Sequence, residues 1–215
     1  MPVTPPIEYD QLDDAGRAAW DEIKARNDGR DPWVELKMMA RSPAVMRDAF
    51  DASTAVAAEA EDGPLDGKQV EAIRLAVSSA NNCHHCVRAH SKKAAKLGWS
   101  DAEVSDILGL AAVCSMLNAY HRFRDLAGLN DDARVIDGLP AESGLPHAAI
   151  LQPDRLDPML VELVCMAVSS ILACPQCTKY HRQAAAKHGA TDDHIAQTVR
   201  AAAVMTLHNT YFRTQ

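Results

Sequence analysis

Asn81-Asn82-Cys83-His84-His85-Cys86-Val87-Arg88-Ala89-His90 is written a second time in this chain, as Leu172-Ala173-Cys174-Pro175-Gln176-Cys177-Thr178-Lys179-Tyr180-His181. Cys83 and Cys174, Cys86 and Cys177, and His90 and His181 each stand 91 positions apart. At that offset the sequence aligns on itself without a gap from Leu65/Leu156 to Arg122/Arg213. Glu71 falls on Glu162, Ser78 on Ser169, Gly98 on Gly189, Asn118 on Asn209 and Tyr120 on Tyr211. An ungapped self-match of this length marks a duplicated structural unit, and it outranks any local signal.

Working outward, each copy reads as three helices. Asp66 and Asp157 are natural N-caps, the second followed by Pro158 at the first helical position. Val70, Ile73, Leu75, Ala76 and Val77 make the first helix apolar over most of its surface, as expected of a central buried helix. Glu71 and Glu162 sit inside these apolar runs and persist in both copies while neighbours drift (Ala72/Leu163, Arg74/Cys165). Asn81-Asn82 interrupt the helix, and Cys83 opens the next, which runs to Leu97 and stops at Gly98 as a left-handed cap. Pro175 suits the first turn of the equivalent helix. Ser100 and Glu103 have the spacing of a capping box, echoed by Thr191-Asp192-Asp193, and start the third helices, Asp101–Phe123 and Asp192–Phe212.

Ahead of the repeats, Asp13-Asp14 open a helix that Asn27-Asp28-Gly29 closes. A short apolar helix follows over Trp33–Ala40. A longer one starts at Pro43, with Ser42 as its cap, and carries Val45, Met46, Phe50 and Val56. The expected organisation is an N-terminal helical segment packed on the core (1–64), a first Cys-x-x-Cys unit (65–124), a Gly- and Pro-containing connector with one short helix near Asp131–Ile136 (125–155), and a second unit (156–215). Abundant alanine with only 5% aromatics points to an all-α fold.

The net charge of −7, without a block of like charges, excludes the basic face that nucleic acid requires. No apolar run approaches the roughly 20 residues of a bilayer span, and Met1–Pro6 lacks the pattern of a signal peptide. A cytoplasmic protein is expected. Six cysteines in such a chain are not a secreted disulfide framework. Cys114 and Cys165, alone in apolar helical runs, read as small core hydrophobes. His84, His121, His147, His188, His194 and His208 carry no repeat support and read as structural.

Cysteines at i and i+3 on the first turn of a helix face the same side and can close a disulfide. The helix N-terminus favours thiolate. His90 lies four residues beyond Cys86 on the same face, where it can exchange a proton with a thiol near neutral pH. Glu71, from the adjacent buried helix, could extend this to a relay running carboxylate, water, thiol. The same holds for Glu162, Cys174, Cys177 and His181. By spacing alone, Cys83, nearest the helix terminus, has the lower pKa. Two competing readings use the same residues: a zinc protein built on the four paired cysteines, and a redox-inert assembly protein with permanent disulfides.

Glu-x11-Cys-x-His-Cys-x3-His followed by small residues and Gly resembles the alkylhydroperoxidase D-like branch of the carboxymuconolactone decarboxylase family, over both units. Trp33–Phe50, with Arg41-Ser42-Pro43, is similar to the N-terminal helices of peroxidase-related members. The resemblance implies an all-α, homo-oligomeric peroxidase or dithiol–disulfide oxidoreductase, of peroxiredoxin-type activity, that needs no metal or cofactor. The decarboxylase branch lacks the paired cysteines. Glu71, Cys83, His85, Cys86 and His90 match every element of the family's proton relay, whereas the second unit has Gln176 in place of the inner histidine. The resemblance assigns peroxide attack to Cys86 and resolution to a reductant-exposed Cys83. The partners it implies are a hydroperoxide, an external dithiol (a lipoyl or thioredoxin-like protein) and a peroxiredoxin.

Overall fold

Acidic caps start the helices where the sequence places them. In a computed structural model, which describes residues 5–126, 128 and 154–213, the chain forms α1 (Asp14–Arg26), α2 (Val34–Met39), α3 (Pro43–Asp62), α4 (Gly67–Ala80), α5 (His84–Lys96), α6 (Asp101–Leu126), α7 (Pro158–Ile171), α8 (Pro175–Lys187) and α9 (Asp192–Arg213). No strand occurs among the described residues. Asp66 accepts from the Gln69 amide at 2.8 Å and Asp157 from the Leu160 amide at 3.1 Å. Ser100 and Glu103 close the capping box reciprocally. In the second copy His194 takes the glutamate's place, its Nδ1 accepting from the Thr191 amide at 3.2 Å.

Two expectations differ in detail, and a third lies outside the described residues. Ser42 makes no side-chain cap, so α3 starts on the pre-set φ of Pro43 alone. The third helices run slightly further than expected, to Leu126 and Arg213. Most of the connector, including 131–136, lies outside the described residues.

The two units do not sit side by side as closed bundles. Central helix α4 packs on its own third helix α6 and on α9 from the other unit, while α7 packs on α9 and on α6. Matching side chains cross between units. Asn118 donates to Ser169 Oγ at 3.1 Å, and its twin Asn209 donates to Ser78 Oγ at 3.2 Å. All four are buried, so each bond satisfies groups that water cannot reach. Gln197 on α9 reaches back to the start of the first unit, bonding Leu65 N at 2.8 Å and Leu65 O at 2.9 Å. Its twin Asp106 on α6 accepts from Arg155, at the start of the second. Ile73, Leu75, Leu160, Leu163 and Met166 fill the shared core.

The N-terminal segment breaks this symmetry. Its helix α3 lies along α9, where Tyr211 donates to Met38 O at 2.9 Å and Ser53 bonds His208 Nε2 at 2.9 Å. Among the described residues, the N-terminal segment adds a wall to the first unit's site. Within α6, Asp101–Phe123 contains a stretch long and apolar enough to span a membrane by length and composition. That corrects the expectation that no run approaches this length. Here its buried Ile107, Leu110, Cys114 and Leu117 pack into the inter-unit core.

At the turn before each cysteine pair, Asn82 has φ of 56° and Ala173 φ of 54°. Asn tolerates left-handed backbone, but Ala lacks a side chain that can bond locally. Ala173→Gly is expected to stabilise the fold by roughly 0.5–1 kcal/mol, the left-handed penalty less glycine's added unfolded-state entropy. Urea midpoints measure it, and a lower midpoint would refute it.

Candidate functional site

The first pair is set by the turn. Cys83 is the N-cap of α5 and is joined to Cys86 by a disulfide, with 5.3 Å between their Cα atoms. The Cys86 amide donates to Cys83 Sγ at 3.3 Å. One turn on, His90 Nδ1 meets Glu71 Oε1 at 2.5 Å. Carboxylate and imidazole are therefore in direct contact. Glu71 is fully buried on α4, and its second oxygen faces Lys93 at 3.4 Å and Arg74 at 3.7 Å without a hydrogen bond. Burial pushes its carboxyl up. The His90 hydrogen bond and the charges of His90, Lys93 and Arg74 outweigh that and hold it below the usual range.

A cavity of about 500 Å³ opens onto this pair. Cys86, His90, Arg74 and Lys93 line it together with the apolar Trp33, Ala57, Val204, Met205 and Phe212. Trp33 and Ala57 come from the N-terminal segment, and Val204, Met205 and Phe212 from the second unit, so the first site is composite. His85 stacks on Phe212 with centroids 5.1 Å apart and approaches Glu35 Oε1 at 3.4 Å. It lines the cavity and stands apart from the Glu71–His90 pair. His208, which also lines the cavity, is pushed down to about 4, chiefly by burial, so it is a neutral imidazole at pH 7. The expectation of an exposed Cys83 fails: it is 1% exposed. The reason is that Asn81 donates to Asn209 at 3.1 Å and ties the turn against α9. Cys86 is the sulfur that lines the cavity.

The second site keeps the frame and changes the contents. Cys174 and Cys177 thiols lie 2.8 Å apart, and His181 Nδ1 meets Glu162 Oε2 at 2.7 Å. Arg74 is replaced by Cys165 and Lys93 by Ala184, so both flanking cations are gone. Burial, with the Cys174 hydrogen bond, pushes the Cys177 thiol up. The four paired cysteines do not converge. Among the described residues, the three-ligand grouping of metal-site size is Cys114, Cys165 and His181.

A sequence profile of the carboxymuconolactone decarboxylase family matches residues 43–127 and 144–209. The chain belongs to that family. Relatives within reach include alkyl hydroperoxide reductases AhpD. One from Anaeromyxobacter dehalogenans (strain 2CP-C) is 29% identical over 67% of this chain and 74% of its own length. One from Anaeromyxobacter sp. (strain K) is 33% identical over 48% of this chain, which spans about half (52%) of that relative. A crystal structure described as a candidate gamma-carboxymuconolactone decarboxylase subunit, from Burkholderia xenovorans LB400, superposes with a TM-score of 0.58 over 95% of both chains. At 17% identity that likeness shows the all-α fold alone.

Membership of the carboxymuconolactone decarboxylase family does not by itself account for the paired cysteines or for what surrounds them. His208, Glu35, Trp33 and Phe212 could not be placed at the first site from sequence. All four lie outside the motif, and none has a like residue 91 positions away. The one available signal was negative: His208 aligns with Leu117, a drift of polarity inside an otherwise apolar helix.

Proposed function

We propose that the first Cys-x-x-Cys unit is a thiol-dependent hydroperoxide reductase. The observation that carries this is Cys86 lining a largely apolar cavity, one turn from an imidazole anchored on a buried carboxylate. With Nδ1 held by Glu71, His90 keeps Nε2 to take the Cys86 proton. The Cys86 thiolate attacks the outer oxygen of R–OOH, the O–O bond breaks, and the alkoxide leaves as R–OH after protonation from His90. Cys83 then condenses with the Cys86 sulfenic acid, releasing water and forming the disulfide. An external dithiol restores both thiols and becomes a disulfide itself.

Cavity access favours Cys86 over Cys83 as the attacking thiol, and the alkyl hydroperoxide reductase relatives are consistent with the reaction. The apolar lining suits an organic hydroperoxide better than hydrogen peroxide. Lipoyl or thioredoxin-like dithiols and a peroxiredoxin are the partners in keeping with it. Lactone decarboxylation has no use for a dithiol, so the paired cysteines weigh against it. The test is consumption of cumene hydroperoxide by purified protein with dihydrolipoamide as reductant. Turnover dependent on both reagents supports the reading. Absence of turnover with either dihydrolipoamide or thioredoxin overturns it.

A further inference from the structure

Behind the second cysteine pair lies a cluster that the dithiol chemistry does not use. Cys114 on α6 and Cys165 on α7 are 1% and 0% exposed, and their thiols are hydrogen-bonded. With buried His181 on α8 they bring two sulfurs and one imidazole nitrogen within 4.8 Å of one another. At the 91-residue offset the equivalent positions, which fall at the first site, are Met205, Arg74 and His90. There the Arg74 guanidinium stands beside Glu71 at 3.7 Å. The second unit keeps the carboxylate and imidazole, with Glu162 on His181 at 2.7 Å, but has no arginine in that space. A fixed cation has been exchanged for two soft ligands.

We propose that Cys114, Cys165 and His181 form a Zn²⁺ site, with the ion standing where the first unit carries Arg74. Zinc binds thiolate sulfur at about 2.3 Å and imidazole nitrogen at about 2.0 Å, which puts ligand atoms of a tetrahedral site roughly 3.3–3.8 Å apart. From a spacing of up to 4.8 Å the cluster contracts by at most roughly 1–1.5 Å, within reach of side-chain rotation. Binding displaces two thiol protons, Zn²⁺ + 2 RSH → Zn(SR)₂ + 2 H⁺, so two thiolates neutralise the ion in a core that tolerates no net charge. Glu162 already holds His181 at Nδ1 and leaves Nε2 to the metal, the carboxylate–histidine arrangement that orients zinc ligands. Three protein ligands leave one position open. An ion there withdraws His181 from proton transfer and makes the second unit a metal-stabilised half.

The test is independent of peroxide turnover. Reduced, chelator-treated protein is titrated anaerobically with Co²⁺ and then Zn²⁺. One Co²⁺ per chain is expected, with a thiolate-to-cobalt charge-transfer band that Zn²⁺ abolishes. Cys83→Ser/Cys86→Ser should keep the band, while Cys114→Ala and Cys165→Ala each lose at least tenfold in affinity. Loss of the band in the Cys83/Cys86 variant, or its survival in either alanine variant, overturns the proposal. Should the alanine variants fail to fold, X-ray absorption on the zinc-loaded wild type decides. Two sulfur ligands support the site. Four sulfurs, no bound metal, or a Cys114–Cys165 disulfide refutes it.

Discussion

Cys86→Ser should abolish dithiol-dependent hydroperoxide turnover, by on the order of 10³-fold or more, while Cys177→Ser should leave at least about half of it. A serine hydroxyl stays protonated at neutral pH and can form neither a sulfenic acid nor a disulfide, so the substitution removes the chemistry and not one contribution to it. The two cysteines are twins by sequence, so the contrast must come from their surroundings. Cys86 faces the cavity, with His90, Arg74 and Lys93 beside it. Cys177 lies where Cys165 and Ala184 replace those cations, and burial pushes its thiol up. A neutral thiol is a poor nucleophile. Cys83→Ser separates attack from resolution. After one equivalent of hydroperoxide, Cys86 should carry a single added oxygen by mass, because no partner is left to condense with it. Oxygen found on Cys83 in Cys86→Ser would reverse the order, and equal losses in Cys86→Ser and Cys177→Ser would mean two working sites.

That contrast also marks how far the sequence could be read. The helices, their caps and both Glu–His pairs were legible because each rests on local spacing. Asp66 reaches Gln69, Ser100 reaches Glu103, and Glu71 reaches His90 across a single turn between consecutive helices. What the self-alignment could not show is that the third helices are shared between units. The self-alignment pairs Asn118 with Asn209 and Ser78 with Ser169, but does not reveal that each Asn bonds the Ser of the other unit. Nor does periodicity reveal that the N-terminal segment walls the first site. Cys114 and Cys165 read as lone core residues because their proximity arises entirely from that exchange of helices: α6 of one unit lies on α7 of the other. Duplication predicts two equal sites; the 64-residue lead-in, together with Cys165 and Ala184 in place of Arg74 and Lys93, makes them unequal.

Glu71→Ala is expected to destabilise the protein by about 3–5 kcal/mol, because it leaves the Arg74 guanidinium buried beside no acidic partner. Glu71→Gln preserves the shape and the hydrogen bond to His90 but not the charge, and should cost about 2–3 kcal/mol at pH 7. Its turnover should fall by roughly 10²–10⁴, since the carboxylate is what stabilises the His90 imidazolium formed when Cys86 gives up its proton. The pH dependence separates charge from packing. Glu71 is held below its ordinary 4.5 in the folded protein, so the unfolded chain binds more protons in the acid range. Its contribution to stability is fully present above about pH 4.5 and is lost as pH falls through the lower folded value. Urea midpoints of the wild type should therefore drop between pH 6 and pH 3 more steeply than those of Glu71→Gln, and the gap between the two proteins should narrow toward acid. Parallel midpoints across that range would mean that Glu71 acts through shape alone, and the charged carboxylate–imidazole pair would lose its place in the mechanism.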